Sequence, residues 1–304
     1  MKKAGTYLLM TAMALFASCE RDFDIALKNN QSQLIVEAYI NNELPYYNYV
    51  VLGHSQGYFE PGFENIPVTG AMVTITEGML QANNMYNWDQ TSKRQLKEGR
   101  LAPFNDQFLP GVYFDPLLIT DPANALKGIP GKHYLLEIEA EGKKYSAITT
   151  LLPPVPIDSV TSGFHYLDED EDTTQMKARL TVHYKDPDTI GNTQLYYWST
   201  YDSRENFGWG AMGTNRFTPG VDDLVNGEYI HLTLSNGFAL GDSVDYYLAN
   251  VERKVYNFWD SFNKARSNAG PFSTPVRLLN TINGDNVIGC FSGFSLSTKS
   301  LIVQ

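Results

Sequence analysis

The first residues that could do chemistry are Gly53-His54-Ser55-Gln56-Gly57, because G-x-S-x-G is the pattern of a nucleophile elbow. That chemistry needs a strand, a sharp turn that lifts the serine, and then a helix whose N-terminus helps hold an oxyanion. The run that follows, Tyr58-Phe59-Glu60-Pro61-Gly62-Phe63-Glu64-Asn65-Ile66-Pro67, has two prolines and a glycine and will not sustain such a helix. Ser55 therefore reads as part of a strand-end loop. The five histidines, His54, His133, His165, His183 and His231, have no His-x-x-x-His spacing, and Cys290 has no neighbouring cysteine, so no zinc site is assigned. Asp168, Glu169, Asp170, Glu171 and Asp172, with Asp186, Asp188, Asp222 and Asp223, could offer oxygens to calcium. Consecutive carboxylates repel one another and mark a solvated loop, and the alternation and glycine of an EF-hand are missing. Trp198, Tyr201, Phe207 and Trp209 are a different case. They border the long, glycine-containing loop 202–213 and could stack on sugar rings or anchor a peptide or protein, while Tyr197 and its period-2 partners pack a core. This is the expected contact loop. No catalytic residue, cofactor or metal is expected.

Cys19 carries the clearest chemistry. Lys2 and Lys3 precede the apolar run Tyr7-Leu8-Leu9-Met10-Thr11-Ala12-Met13-Ala14-Leu15-Phe16, and small residues lead to Cys19. That is an export signal, too short to span a bilayer. Phe16-Ala17-Ser18-Cys19 resembles a bacterial lipobox, which predicts cleavage before Cys19 and acylation of its thiol. Each buried CH2 of an acyl chain contributes about 0.8 kcal/mol, so two or three chains make attachment lasting. Glu20, Asp22 and Asp24 follow at once and resemble the acidic export signal that sends lipoproteins to the cell surface.

The elements around these residues read as strands. With 34 acidic and 23 basic residues the formal net charge is −11, and removal of Lys2 and Lys3 takes it to −13. An acidic chain without a basic run excludes nucleic acid as a partner. Period-2 alternation marks strands at 34–40, 46–52, 71–76, 111–114, 134–140 and 144–151, the last two joined by a Glu141-Gly142 turn. Three prolines among residues 152–156 mark a boundary. Beyond it, strands are expected at 158–166, 177–185, 194–201, 229–234, 243–251, 276–279, 287–294 and 299–303. Val255, Phe258, Phe262 and Ala265 repeat with helical spacing, which predicts an amphipathic helix over 252–267 ended by Gly270-Pro271. The expected chain is mainly β, with two β-sandwich-like domains of immunoglobulin or transthyretin type. A signal peptide fills 1–18 and an acylated tether 19–32. An N-terminal domain spans 33–152, and a C-terminal domain carrying the helix spans 157–304.

Several runs together resemble one family. They are the lipobox, Leu34-Ile35-Val36-Glu37-Ala38-Tyr39-Ile40, Gly131-Lys132-His133-Tyr134-Leu135-Leu136-Glu137, Pro153-Pro154-Val155-Pro156-Ile157-Asp158-Ser159-Val160, Gly270-Pro271-Phe272, and Asn283 through Phe294. The chain is similar to the domain-of-unknown-function 4249 family of Bacteroidota lipoproteins. The resemblance implies a two-part β-rich lipoprotein, often encoded near TonB-dependent receptors, and it brings no catalytic residues. The expected function is that of a non-enzymatic, outer-membrane-anchored accessory facing the cell exterior. Its expected partner is an outer-membrane β-barrel, either a TonB-dependent transporter or a barrel-assembly complex. The alternative is capture of a glycan or peptide for uptake, and a hydrolase comes third.

Overall fold

A computed structural model describes residues 32–56, 66–100, 108–169, 174–189, 192–200, 218–221, 227–267 and 276–304. Cys19, Glu20, Asp22, Asp24, Tyr201, Phe207, Trp209, the acids at 170–172 and 222–223, and the helix stop at 270–271 lie outside them.

The chain is mainly β. Its strands are β1 (Leu34–Asn41), β2 (Tyr49–His54), β3 (Ile66–Pro67), β4 (Met72–Leu80), β5 (Tyr86–Trp88), β6 (Arg94–Arg100), β7 (Phe108–Phe114), β8 (His133–Ala140), β9 (Lys143–Thr150), β10 (Ile157–Glu169), β11 (Thr174–Lys185), β12 (Thr193–Thr200), β13 (Thr218–Val221), β14 (Tyr229–Ala239), β15 (Ser243–Val251) and β16 (Val287–Ile302). Among the described residues two α-helices join them, α1 (Leu117–Thr120) and α2 (Arg253–Ser267). None of the described helices is long and apolar enough to cross a membrane.

One sheet runs in the order β13-β12-β15-β16-β1-β2-β7-β6-β4-β8-β9. Alternation explains its curvature. On β1, Leu34, Val36, Ala38 and Ile40 point to one side and meet Val73 and Ile75 of β4, Leu136 and Ile138 of β8 and Ala147 of β9 in a single core. To enclose that core the sheet curls until β9 returns to β16, where the Gly293 N–H donates to Thr149 Oγ1 at 3.0 Å and Ser146 bridges Asn283. The result is barrel-like, and closure hides sheet edges. The Glu141-Gly142 turn closes β8 and β9 as expected, with φ of 51° and 74°.

β16 continues past this barrel. Residues 287–294 pair parallel with β1, and residues 295–302 pair antiparallel with β15. The sheet thus crosses the proline boundary at 152–156. Beyond it, β10, β11 and β14 form a three-stranded sheet. Its apolar row of Ala178, Leu180 and Val182 packs on Val244, Tyr246 and Leu248 of β15, which makes a second, sandwich-like core.

The predicted helix is α2. Val255, Phe258 and Trp259 cover the outer side of β1 and β16 at Tyr39, Cys290 and Phe294, and the Trp259 indole N–H donates to Ser292 Oγ at 3.1 Å. Three expectations change. No strand forms at 276–279, where the Leu279 N–H donates to Ser261 Oγ of α2, and Asn280 folds the residues that follow: its amide donates to Ile282 O and Val287 O and accepts from Ile282 N–H and Gly289 N–H. The expected strands at 287–294 and 299–303 are one, the polar Ser295, Ser297 and Thr298 having masked continuity. Residues 45–47 form a 3-10 turn opened by Pro45, so β2 starts only at Tyr49.

Candidate functional site

The barrel opens, at the end holding Asn41 of β1 and His133 of β8, into a cleft of about 500 Å³. Its walls are Asn42 just after β1, Ile75 and Glu77 of β4, Ser92 in the turn before β6, Arg94 at its start, Tyr134 of β8, and residues 125–130. Those last residues form a connection whose backbone is bolted down by buried side chains. Asn48 Nδ2 donates to Leu126 O at 2.8 Å, and Asp115 accepts the Leu126 N–H at 2.8 Å. The Gly128 N–H donates to Asn41 O at 2.8 Å. A Cβ at Gly128 would lie 2.5 Å from the Leu151 side chain and 2.9 Å from Asn41 O, so only glycine allows this approach. The Ile129 N–H donates to the Tyr134 hydroxyl at 2.7 Å. Burial, more than any other cause, holds that phenol well above its ordinary pKa. Wall residues fixed in this way keep a cleft in shape before any ligand arrives.

Charge is unevenly placed. Glu77 is ion-paired with Lys132 at 2.8 Å. Arg94 donates only to the Asn124 carbonyl at 3.4 Å, and neither Arg94 nor Lys127 has a carboxylate partner among the described residues. Beyond the Glu77 to Lys132 pair lies a second hollow of about 430 Å³, lined by Met79, Asn87, Trp88, Asp89 and Gln90. The Trp88 ring lies flat over Gly78, where any Cβ would meet it at 2.3 Å. Asp89 is held below the usual carboxylate range chiefly by the Thr91 hydroxyl and then by the Thr91 N–H.

His133 stands beside this mouth, its ring centroid 5.1 Å from that of Tyr86. Its Nδ1 is 2.9 Å from Thr150 Oγ1, and that hydroxyl donates to Glu252 at 2.9 Å. Since the hydroxyl proton goes to Glu252, the imidazole N–H is the donor to Thr150.

The β4 to β5 hairpin reaches past the sheet. Gly78 is the last β4 residue paired with β8, so Met79 and Leu80 run on with only β5 beside them. Met79 (53 %), Leu80 and Met85 (64 %) are exposed at its tip, with Tyr86 stacked on Trp88 behind them. Residues 78–88 carry no charge.

The residues singled out from sequence fall elsewhere. Ser55 Oγ accepts the Gln33 N–H at 2.8 Å and so ties the strand end to the chain entering β1. His54 contacts Glu141 at 2.9 Å at the opposite end of the barrel from the cleft. His183 and His231 face each other, Nδ1 to Nδ1 at 2.7 Å, on the outer side of the three-stranded sheet. No group of three or more metal-ligating side chains converges among the described residues. Asp168 pairs with Lys177, and buried Asp186 accepts from Gln194 and the Gly227 N–H. Trp198 packs edge-on against Phe238 at 5.8 Å, half-buried beside the sandwich core. Cys290 is buried and free, its thiol pushed up to about 11 by burial. Arg94 and Lys127 were not singled out from sequence, because they lie 33 positions apart and only the barrel's closure brings both to one mouth.

A family model described as "Domain of unknown function (DUF4249)" matches residues 20–300. No curated protein matches the chain.

Proposed function

The chain belongs to the DUF4249 family, and from that premise we propose that it is a lipid-anchored, non-enzymatic binding protein of the outer membrane. The observation that carries the reading is the lipobox at Phe16-Ala17-Ser18-Cys19, with the family match beginning at the very next residue. Acylated Cys19 holds the protein in the membrane lipid, and Glu20, Asp22 and Asp24 direct it to the cell exterior. There it serves an outer-membrane β-barrel, a TonB-dependent transporter or barrel-assembly complex. The uncharged hairpin with exposed Met79, Leu80 and Met85 supports docking to a protein, since contiguous apolar surface at a projecting tip marks interaction sites. The binding role, rather than a hydrolytic one, is supported by Ser55, whose hydroxyl is occupied in holding Gln33.

Two measurements test this. Mass spectrometry of the N-terminal peptide is expected to find acylated Cys19, and Cys19→Ala to release the protein from membranes. Affinity capture after mild detergent extraction is expected to recover a β-barrel protein, and Leu80→Asp with Met85→Asp to lose it. Recovery of the protein alone in both cases would defeat the accessory role.

A second reading, capture of a small ligand for uptake, is favoured by the cleft at the barrel mouth, because barrel mouths are recurrent ligand sites.

A further inference from the structure

The cleft has a chemistry that selects among ligands. In a chain of net charge −11, its lining holds Arg94 and Lys127 without carboxylate partners among the described residues, while the only acidic group, Glu77, is already neutralised by Lys132. The two hydroxyls of the lining are spent. Ser92 donates to Asp89 O and accepts the Glu77 N–H, while Tyr134 accepts the Ile129 N–H and gives its own proton to the Glu77 carboxylate. The free side-chain donors in the walls at β6 and the 125–130 connection are therefore cationic. A neutral sugar needs several directed donors and acceptors and finds few here. A carboxylate matches a guanidinium with two parallel hydrogen bonds. The Asn42 amide is tied at both its atoms to the Leu296 backbone, and the rest of the wall, Ile75, Ala125, Leu126, Ile129 and Pro130, is aliphatic.

We propose that this cleft captures a short peptide by its C-terminal carboxylate, with Arg94 and Lys127 taking the carboxylate and the aliphatic wall taking the last side chain. The inference rests on the ligand-capture reading and names its ligand. A uronic-acid sugar shares the carboxylate but would turn hydroxyls toward Ile75, Leu126 and Ile129, leaving them without partners. A space of about 500 Å³ suits two or three residues. Residues 125–130 are held by Asn48, Asp115, Asn41 and Tyr134, so binding costs little ordering of the wall.

The test is calorimetric titration of the mature chain carrying Cys19→Ser, which prevents acylation. The probes are acetylated alanyl-alanyl-leucine as the free acid, the same peptide as its C-terminal amide, trigalacturonate, and maltotriose. The free acid is expected to bind, and the amide to bind about tenfold or more weaker. Arg94→Gln and Lys127→Gln are each expected to weaken the acid and leave the amide unchanged. Raising salt from about 0.05 to 0.5 M is expected to weaken only the acid. Should Arg94→Gln fail to fold, as judged by circular dichroism, Lys127→Gln at an exposed position carries the same test. Equal binding of acid and amide would overturn the carboxylate assignment and leave capture standing. Binding of trigalacturonate or maltotriose but not of peptide would do the same. Binding of none would overturn both the inference and the reading beneath it.

Discussion

The two halves of β16 differ in what their surroundings ask of one strand. Over residues 287–294 it closes a barrel-like sheet, beside β1 and near β9. Over residues 295–302 it lies in an open sheet, beside β15 only, whose other side is covered by β10, β11 and β14. Closure encloses Leu136, Ile138 and Ala147 and leaves one end with a shaped mouth. The open sandwich buries Leu180 and Val182 as completely, yet its outer face is a polar array of Thr161, Thr181, Thr233, His183 and His231. Equal burial therefore lies beneath a walled cleft in one half and a polar outer face in the other. What separates them is curvature.

Curvature depends on close approach, and the largest predicted effect removes it. A Cβ at Gly289 would lie 1.8 Å from Val36 O, and its φ of +155° is one that side chains rarely adopt. Gly289→Val is expected to destabilise by at least about 4 kcal/mol and to yield little soluble protein. A variant that folds and melts like the parent would show that the parallel β1 to β16 pairing is dispensable.

Next in size are the two cores. Leu136→Ala in the barrel and Leu180→Ala in the sandwich, both fully buried, are each expected to cost about 2 to 5 kcal/mol. Because β16 is shared, both variants should lower a single denaturant transition. Two transitions, one moved by each substitution, would mean that the halves unfold separately.

Legibility followed the same division. Strands with one apolar face, such as 134–140 and 177–185, declared themselves by alternation, and so did the helix at 253–267. β6, with the sequence Arg94-Gln95-Leu96-Lys97-Glu98-Gly99-Arg100, did not. Among residues 94–99 only Leu96 is buried, and pairing with β4 and β7 holds the strand. The cleft was illegible for a related reason. Arg94 and Lys127 read as ordinary surface charges until the sheet curls, and local sequence carries no record of which strand ends meet. Trp198 read as part of the contact loop, because an aromatic residue near a strand end suits a surface as well as a core, and here it lies half-buried against Phe238.

Smaller effects sharpen the comparison where the two halves touch. Glu252, just before α2, accepts the Thr150 N–H at 2.8 Å and the hydroxyls of Thr150 and Thr149 at 2.9 and 3.3 Å, at the end of β9. Glu252→Ala leaves these donors short of an acceptor and is expected to cost about 1 to 3 kcal/mol by urea denaturation. A loss below about 0.3 kcal/mol would mean that water replaces the carboxylate and that this link does not couple the halves.

The smallest effect is read on His133. Burial is the leading cause that lowers its pKa below the ordinary 6.5, Glu252 pulls it back up, and Lys254 adds to the lowering. For a histidine whose folded pKa is depressed, the neutral form is the one the fold favours. Its contribution is full above the ordinary value and is lost as pH falls through the folded one. The imidazole is only half-buried, so the change in stability is small, and the sensitive measurement is the ring proton shift by NMR. The parent is expected to titrate below 6.5, and Glu252→Gln to lower the midpoint further by removing the one opposing charge. A midpoint that Glu252→Gln leaves unmoved would place the carboxylate out of electrical reach of the barrel mouth. The hydrogen-bonded path from His133 through Thr150 would then be a local packing feature instead of a line between the two halves.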